Sequence, residues 1–355
     1  MKKLLSLVLA CLLLLGVVPA FADDTYEIAL VTDVGNIDDH SFNQSAWEGV
    51  VKYAEEAGVT YNYYRPSEDS TEARVETIKA AIDKGAKVVV CPGYLFEDAI
   101  YEVQGSYPDV NFLLLDGEPH SADYSEYLTA ENTHNILYQE EQAGYLAGYA
   151  AVKDGYTKLG FLGGMDVPAV IRYGFGFVQG ADDAAAELGT TVEIKYWYSG
   201  SFAPSDDIKN KMGSWYTEGT EIVFACVGGI YLSAVAAAEE AGAKVIGVDT
   251  DQGYDSDLIV TSAMKDLITS VYLSLTDLYA NEGTWPESYA GKTAVLGASE
   301  ACVGLPTLEE HWRFNTFTVE EYNDLFAKVE SGEIEISNST EEAPATTNTT
   351  VDYQD

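Results

Sequence analysis

The segment that decides the fold is residues 28–57, IALVTDVGNIDDHSFNQSAWEGVVKYAEEA. It opens with a short apolar run, Ile28 to Thr32, which has the length and composition of a buried strand. A polar, turn-forming stretch follows, and Ser45 to Ala57 then shows the apolar spacing of an amphipathic helix. Strand, loop and helix in this order form the unit from which parallel α/β sheets are built.

The same unit recurs along the chain. Further apolar runs predict buried strands at Val88 to Cys91, Phe112 to Leu115, Lys158 to Leu162, Ile222 to Val227 and Val245 to Val248. Amphipathic stretches between the runs predict helices at Thr71 to Lys84, Tyr138 to Val152, Gly176 to Leu188 and Leu232 to Ala241. Short connections between such elements indicate right-handed crossovers and parallel sheets covered by helices on both faces.

The pattern resets once, around an Ala/Gly-rich helix near residues 132–155, and 355 residues suffice for two domains. We predict two doubly wound parallel-sheet domains of the α/β class. The first comprises residues 23–133 and about 263–300, and the second comprises residues 134–262 and about 301–337. Residues 338–355 contain few core-forming side chains, which predicts a disordered tail.

The N-terminus has the pattern of an export signal spanning residues 1–22. Lys2 and Lys3 precede an apolar run that is too short to span a bilayer, and Ala20-Phe21-Ala22 provides small residues for cleavage. Lipid attachment at Cys11 is the alternative. We therefore expect an exported protein that is periplasmic or at the cell surface and is associated with the plasma membrane if it is tethered.

Charge and cysteine content exclude several classes of partner. The chain has 58 acidic and 19 basic residues, a net charge of −39, which repels phosphate backbones and excludes nucleic acid as a partner. Export would leave Cys91, Cys226 and Cys302, an odd number that does not form a disulfide framework. No ligand spacing suggests a metal, so we expect neither a metal nor a cofactor.

Ligands of open α/β sheets meet the loops at the carboxyl ends of the strands. After the first strand, Asp33 and Asn43 can hydrogen-bond a neutral polar ligand, and Phe42 offers a flat apolar face. We interpret these three as ligand contacts. The neighbouring Asp38 and Asp39 are interpreted as residues that shape the loop and cap the helix.

Polar residues also follow the later strands. Asp116 ends one strand, and Gly228 lets the backbone approach a ligand closely. Asp249 and Asp251, at alternate positions, could together hold a diol, and Lys265 could donate to a ligand oxygen. A calcium site is disfavoured because the sequence does not supply the six or more oxygens that calcium needs.

Two aromatic residues of the second domain are candidates to face Phe42 across the cleft. Phe202 and Tyr173 could each stack on a planar ligand, although core packing is the simpler interpretation of either residue alone.

The run Asp33 to Gly49, DVGNIDDHSFNQSAWEG, resembles the signature of the basic membrane protein family of substrate-binding lipoproteins, which serve ABC transporters. Four later stretches resemble further family motifs in the same order: Gln139 to Tyr149, Gly176 to Gly180, Ile246 to Gln252 and Thr261 to Lys265. The resemblance covers about residues 26 to 330. It implies the type I periplasmic-binding-protein fold, with a hinged cleft between its two domains.

The resemblance further implies that the cleft binds a purine nucleoside, with aromatic rings around the base and carboxylates and a lysine on the ribose. The site residues that carry over are Asp33, Phe42, Asn43, Asp116, Phe202, Gly228, Asp249, Asp251 and Lys265, with Tyr173 as a second candidate for base stacking. Tyr173 stands where many relatives have Phe, and a convincing lipid-attachment cysteine is missing. The implied partners are the transmembrane subunits of an ABC permease, and we expect a monomer.

Three alternatives remain at this point. A sugar or autoinducer receptor of the same fold would use similar residue types, and a sensor would report its ligand to a membrane receptor rather than to a permease. A nucleoside hydrolase is less compatible with the sequence, because such enzymes hold calcium with an Asp-x-Asp-x-x-x-Asp-Asp motif. Val31 occupies the position of the first Asp, and the pair Asp38-Asp39 comes one residue late. We therefore predict a binding protein that is not an enzyme.

Overall fold

The computed structural model describes residues 25–226 and 228–355, so the predicted signal sequence and Val227 lie outside the described residues. The strands are β1 (Ile28–Val31), β2 (Tyr61–Tyr64), β3 (Val88–Pro92), β4 (Asn111–Leu115), β5 (Thr133–Tyr138), β6 (Lys158–Gly163), β7 (Val192–Tyr198), β8 (Ile222–Cys226), β9 (Lys244–Asp249), β10 (Ile259–Lys265), β11 (Lys292–Leu296), β12 (Val303–Gly304) and β13 (Thr349–Gln354). The α-helices are α1 (Phe42–Ala57), α2 (Thr71–Asp83), α3 (Glu97–Gln104), α4 (Glu140–Lys153), α5 (Pro168–Leu188), α6 (Asp206–Thr217), α7 (Tyr231–Ala241), α8 (Leu267–Ala280) and α9 (Val319–Glu330).

The strands form two sheets, one in each domain. The first has the order β11-β5-β4-β3-β1-β2, and all its neighbours are parallel. The second has the order β12-β10-β9-β8-β6-β7-β13, in which only β12 pairs antiparallel among the described strands. Every residue of β1, β3, β4 and β8 is buried, as expected for parallel strands with helices on both faces. The predicted α/β fold with two doubly wound domains is confirmed.

The chain passes between the domains at places that differ from the predicted boundaries. The boundary expected after residue 133 falls at the first residue of β5, which still belongs to the first sheet, so the passage lies between Tyr138 and Glu140. The return expected at about residue 263 comes after Lys265, the last residue of β10. After β11 the chain passes back to the second sheet at β12. Together these passages form the hinge.

Two of the sequence motifs are explained by helix packing. Gly144 and Gly148 on α4 face Gly176 and Gly180 on α5, and a Cβ atom at any of the four would overlap the backbone of the opposite helix. The small residues therefore let α4 and α5 pack backbone to backbone. This contact fixes the start of α4, where the chain enters the second domain.

The prediction that residues 338–355 form a disordered tail is wrong. Residues 349–354 add β13 to the edge of β7 in parallel register, and the ring of Tyr353 lies 5.0 Å from that of Tyr196. The segment contributes little apolar area, so its composition did not reveal it. Pairing with a strand that is distant in sequence compensates for that lack of core-forming side chains.

Candidate functional site

The loops at the carboxyl ends of the strands enclose a cleft between the two domains. A cavity of about 450 Å³ lies there, and five of the predicted residues line it: Asp33, Phe42, Asn43, Phe202 and Gly228. Its volume is within the range of small-molecule sites, about 300–1,000 Å³. The loop after β1 forms one wall, and the loops after β7 and β8 form the other.

The cavity continues into a narrow inner recess between Phe42 of the first domain and Phe202 of the second. Asp33, Asp116 and Lys265 also line the recess, whose volume is only about 30 Å³. This is roughly the volume of one water molecule, so a planar ligand must move the two aromatic walls apart to enter.

The first wall is built by the start of α1, which begins at Phe42, three residues earlier than the sequence pattern indicated. The carboxylate of Asp39 accepts the amide N–H groups of Ser41, Asn43 and Gln44 at 2.9–3.0 Å. Asp39 thus caps the helix, as the sequence interpretation held. The cap fixes Phe42 and Asn43 in the first helical turn, where both face the cleft.

Asp33 and Asn43 form a fixed hydrogen-bonding unit. Oδ1 of Asp33 accepts from the amide of Gly35 at 2.6 Å and from Nδ2 of Asn43 at 2.9 Å. Burial raises the pKa of Asp33 to about 6, although these two hydrogen bonds act against the increase. A cleft carboxyl group therefore titrates close to neutral pH.

Lys265 is buried at the centre of the interdomain contact. Its Nζ lies 2.5 Å from Oδ2 of Asp116 and 3.1 Å from Oε1 of Glu140. Burial alone would lower the pKa of Lys265, but the two carboxylates outweigh it and raise the pKa. The ammonium group also lies 4.7 Å from the centroid of the Phe42 ring, so it holds the carboxylates and an aromatic wall together.

Asp116 has one oxygen available to a ligand. Its Oδ1 is buried and has no hydrogen-bond partner among the described residues, whereas Oδ2 is paired with Lys265. Burial is the main cause that raises the pKa of Asp116, and the charge of Glu140 adds to it while Lys265 opposes it. A buried acceptor without a partner is costly, so a donor supplied by a ligand would be favourable.

Asp249 and Asp251 do not act as a pair, which corrects the expectation that they hold one diol together. Asp249 is buried and accepts from Ser41 Oγ of the first domain at 2.5 Å. The carboxylate of Asp251 contacts His311 Nδ1 at 2.5 Å and accepts the amide of Gly253 at 3.0 Å. Both residues line a different cavity of about 380 Å³ beside the hinge. The two carboxylates lie at alternate positions of one loop but contact different partners.

Tyr173 does not stand opposite Phe42 as a second stacking ring. It is fully buried in α5, where its ring packs edge-on against Phe224 with centroids 5.9 Å apart. Its hydroxyl group lies 3.5 Å from Asp249 Oδ1. Core packing therefore accounts for Tyr173, whereas Phe202 and Tyr231 are aromatic residues of the second domain that line the cleft, and Phe202 also lines the recess.

The sequence analysis missed several residues that the structure places in the site. Arg65 lines the outer cavity, and Tyr94 lines the inner recess. Glu140 is fully buried and pairs with Lys265 and with Arg172, whose Nε lies 2.7 Å from Oε2. An acidic residue at the start of an otherwise apolar Ala/Gly-rich helix was the one signal that could have indicated Glu140.

A direct clasp joins the domains at the mouth of the cleft. His40 Nδ1 lies 2.8 Å from Asp255 Oδ1, and Gln252 Nε2 donates to the carbonyl of His40 at 3.0 Å. Together with the contact between Ser41 and Asp249, the clasp tethers the first-domain loop to the second domain. The two residues that directly precede Phe42 are thus tied to the second domain.

Two doubly wound domains joined by a hinge, with polar groups and aromatic rings converging in the cleft between them, define a solute-binding protein of the type I periplasmic-binding class. The chain belongs to the Bmp family, described as ABC transporter substrate-binding protein PnrA-like, whose model matches residues 27–340. The resemblance proposed from the sequence motifs is confirmed. The family comprises extracytoplasmic, non-enzymatic substrate-binding subunits that bind small ligands and work with permease subunits.

Individual relatives agree with this assignment. The chain is 29% identical over 266 residues to the ABC transporter nucleoside-binding protein BmpA of Lactococcus lactis subsp. cremoris, covering 68% of this chain and 72% of that protein. It is 29% identical over 311 residues to basic membrane protein A1 of Borrelia garinii subsp. bavariensis, covering 86% and 87%. A crystal structure of an ABC transporter solute-binding protein from Aeropyrum pernix K1 superposes with a TM-score of 0.76 at 22% identity, covering 88% and 94%.

The helices of residues 25–226 and 228–355 include none that is both long and apolar enough to cross a membrane.

Proposed function

We propose that this protein captures a purine nucleoside in the interdomain cleft and delivers it to the permease of an ABC uptake transporter. The observation that carries the proposal is the inner recess, where Phe42 and Phe202 face the same space from opposite domains. Two aromatic walls suit a flat heterocycle better than a sugar ring, because base and aromatic ring stack face to face.

The polar groups around the recess suit the remainder of a nucleoside. Asp33, Asn43 and the unpaired oxygen of Asp116 offer acceptors, and Lys265 offers a cation. Such groups can hydrogen-bond the edge of a purine and the hydroxyl groups of a ribose. The relative from Lactococcus lactis is itself named a nucleoside-binding protein.

Binding proceeds by hinge closure. The recess is narrow, so a nucleoside enters when the domains are apart, and closure then brings Phe202 against the base. The clasp between His40 and Asp255 forms in the closed state and stabilises it. The closed domains present one joint surface to the permease, and we propose that a monomer carries out the cycle.

A thermal-shift screen followed by calorimetry tests the proposal. Purine nucleosides should raise the melting temperature and bind more tightly than free bases or monosaccharides, because only a nucleoside fills both the aromatic and the polar part of the site. A panel in which a sugar is the tight ligand and nucleosides are inert would contradict the proposal and favour a sugar receptor.

Substitution of the aromatic walls sharpens the test. Phe42→Ala and Phe202→Ala should each weaken nucleoside binding by about 5- to 150-fold, the equivalent of the ~1–3 kcal/mol that one stacked base contributes. Leu273→Ala, an exposed apolar residue of α8, is the matched control and should bind as the parent protein does. Unchanged binding in both Phe variants would exclude base stacking.

The location is proposed from the N-terminal pattern and the family. We propose export with cleavage after Ala22, and mass spectrometry of the protein recovered from the producing cell tests it. A mature chain beginning at Asp23 is expected, whereas a lipid-modified Cys11 would establish tethering instead.

A further inference from the structure

Asp116 is held in an unusual backbone conformation. Its φ is 59°, in the left-handed region that residues with a side chain rarely adopt. This conformation aims one carboxylate oxygen at Lys265 and leaves the other without a partner at the recess. Strained conformations persist only where the surroundings enforce them, so the loop that follows Asp116 must itself be fixed.

Glu97, the first residue of α3, fixes that loop. Its Oε1 accepts the amide N–H of Glu118 at 2.7 Å, and its Oε2 lies 3.0 Å from Nε2 of His120. Gly117 lies against the Glu97 side chain so closely that a Cβ atom would come within 2.7 Å of its Cγ. The buried carboxyl group of Glu97 therefore holds the loop in place through contacts with the residues that follow Asp116.

The contact between Glu97 and His120 requires one shared proton. His120 Nδ1 lies 2.8 Å from the carbonyl oxygen of Ser121, which can only accept, so Nδ1 carries a hydrogen. Nε2 then has a hydrogen only when the imidazole is cationic. A neutral imidazole can bond to Glu97 only if Glu97 is protonated, so the contact is lost when neither group holds the proton.

The surroundings of the pair retain that proton. Burial raises the pKa of Glu97 to about 7, although the hydrogen bond from the Glu118 amide and the contact with His120 act against the rise; the charge of Glu118 adds a little to it. The other titratable groups that face the pair are phenols. Tyr124 stacks on the His120 ring at 4.1 Å, and its hydroxyl group lies 2.8 Å from that of Tyr94, which lines the recess. Tyr127 lies against His120 at 5.2 Å.

We propose that Glu97 and His120 are positioning residues that hold Asp116 in its ligand-binding conformation, and that the proton they share makes ligand affinity depend on pH. The proposal rests on the proposed nucleoside function and deepens it. Because burial favours the protonated form of Glu97, the contact between Glu97 and His120 is complete at low pH and weakens as pH rises through about 7.

Glu97→Gln keeps the hydrogen bonds to the loop but removes the group that titrates. The amide oxygen can accept from Glu118, and the amide nitrogen can donate to neutral His120 without a titrating group. Glu97→Ala removes both contacts. Glu102→Gln, an exposed change on the same helix, is the matched control. All variants are first checked for folding by circular dichroism.

Calorimetry with a purine nucleoside between pH 6 and 8.5 is the first measurement. The parent protein and Glu102→Gln should lose affinity by several-fold above pH 7, and Glu97→Gln should lose clearly less. Asp33 and Asp116 titrate in the same range in every variant, so the difference between variants carries the result. Glu97→Ala should bind about tenfold more weakly at every pH. Identical pH profiles for the parent and Glu97→Gln would overturn the proposal.

Hydrogen exchange of the Glu118 amide, measured without ligand, is independent of the nucleoside. Its protection factor should be lower in Glu97→Ala than in the parent protein, because the variant lacks the oxygen that accepts this amide. If nucleosides do not bind the parent protein, the proposed function fails while this measurement still decides whether the pair grips the loop. Equal protection in both proteins would refute the role of Glu97 in holding the loop.

Discussion

Lys265 at the end of β10 forms a buried ion pair across the interdomain contact, with its Nζ 2.5 Å from Oδ2 of Asp116 at the end of β4. The same ammonium group reaches Glu140, the first residue of α4, at 3.1 Å. Lys265 of the second domain thus contacts both Asp116, at the end of β4 in the first domain, and Glu140, at the start of the helix that follows the hinge. The same ion pairs therefore hold the recess and the hinge.

Loss of this cation should destabilise the protein strongly. We expect Lys265→Met to lower the free energy of unfolding by about 3–5 kcal/mol, because the carboxylates of Asp116 and Glu140 would remain buried without their cation. Urea denaturation measures the change. Lys209→Ala, which removes an exposed pair with Glu240, is the control and should leave stability unchanged. A small effect of Lys265→Met would show that the carboxylates take up protons without cost.

Asp33→Asn should stabilise the folded protein at alkaline pH. The folded-state pKa of Asp33 is raised from 3.8 to about 6, so its contribution to stability is present below pH 4 and is lost as pH rises through 6. At pH 8 the neutral Asn should therefore be more stable by ~1–3 kcal/mol, and at pH 4 the two proteins should be equal. Thermal unfolding at both pH values measures this, with exposed Asp38→Asn as the control. Equal stability at pH 8 would contradict the burial argument.

Removal of residues 349–355 should expose the edge of β7 and leave a buried donor unpaired. Trp215 Nε1 donates to Gln354 Oε1 at 3.1 Å, and loss of that acceptor costs about 1–3 kcal/mol. We expect lower stability, faster hydrogen exchange of the β7 amides, and self-association through the uncovered edge. Gln354→Ala isolates the hydrogen bond from the strand. A truncated protein with unchanged β7 protection would show that β13 does not cover that edge.

The clasp between His40 and Asp255 should favour closure. His40→Ala removes the side-chain contact but retains the carbonyl that Gln252 binds, so we expect nucleoside affinity to fall by about two- to fivefold, as suits a partly exposed pair. Small-angle scattering of the ligand-free variant should show a more open molecule. Equal affinities of the variant and the parent protein would contradict the role of the clasp.

Strands that are buried along their whole length could be predicted from the sequence. Val88–Pro92 is buried on both faces and reads as a continuous apolar run, so its strand was evident. Val192–Tyr198 and Thr349–Gln354 mix polar and apolar residues because they lie at or near a sheet edge, and neither was predicted as a strand. Partial exposure removes the hydrophobic signal on which such predictions depend.

The site residues also fall into those that one local segment supplies and those whose role depends on contacts between distant segments. Asp33, Phe42 and Asn43 lie within eleven residues of one another along a single loop and helix start, and the structure brings them to one cavity. The role of a residue such as Glu140 depends on which distant side chain it meets. Lys265 is 125 positions away in sequence, and only packing of the two domains brings the two together.

The sequence by itself determined the family, the two-domain α/β fold and the loop that carries Asp33, Phe42 and Asn43, because those follow from local order and hydrophobic pattern. Only the tertiary structure decided which partners Asp249 and Asp251 contact, although the two are only two residues apart in one loop. One accepts from Ser41 of the opposite domain, and the other binds His311. The physical reason is that burial and partner choice depend on contacts between segments far apart in sequence, which local pattern does not encode.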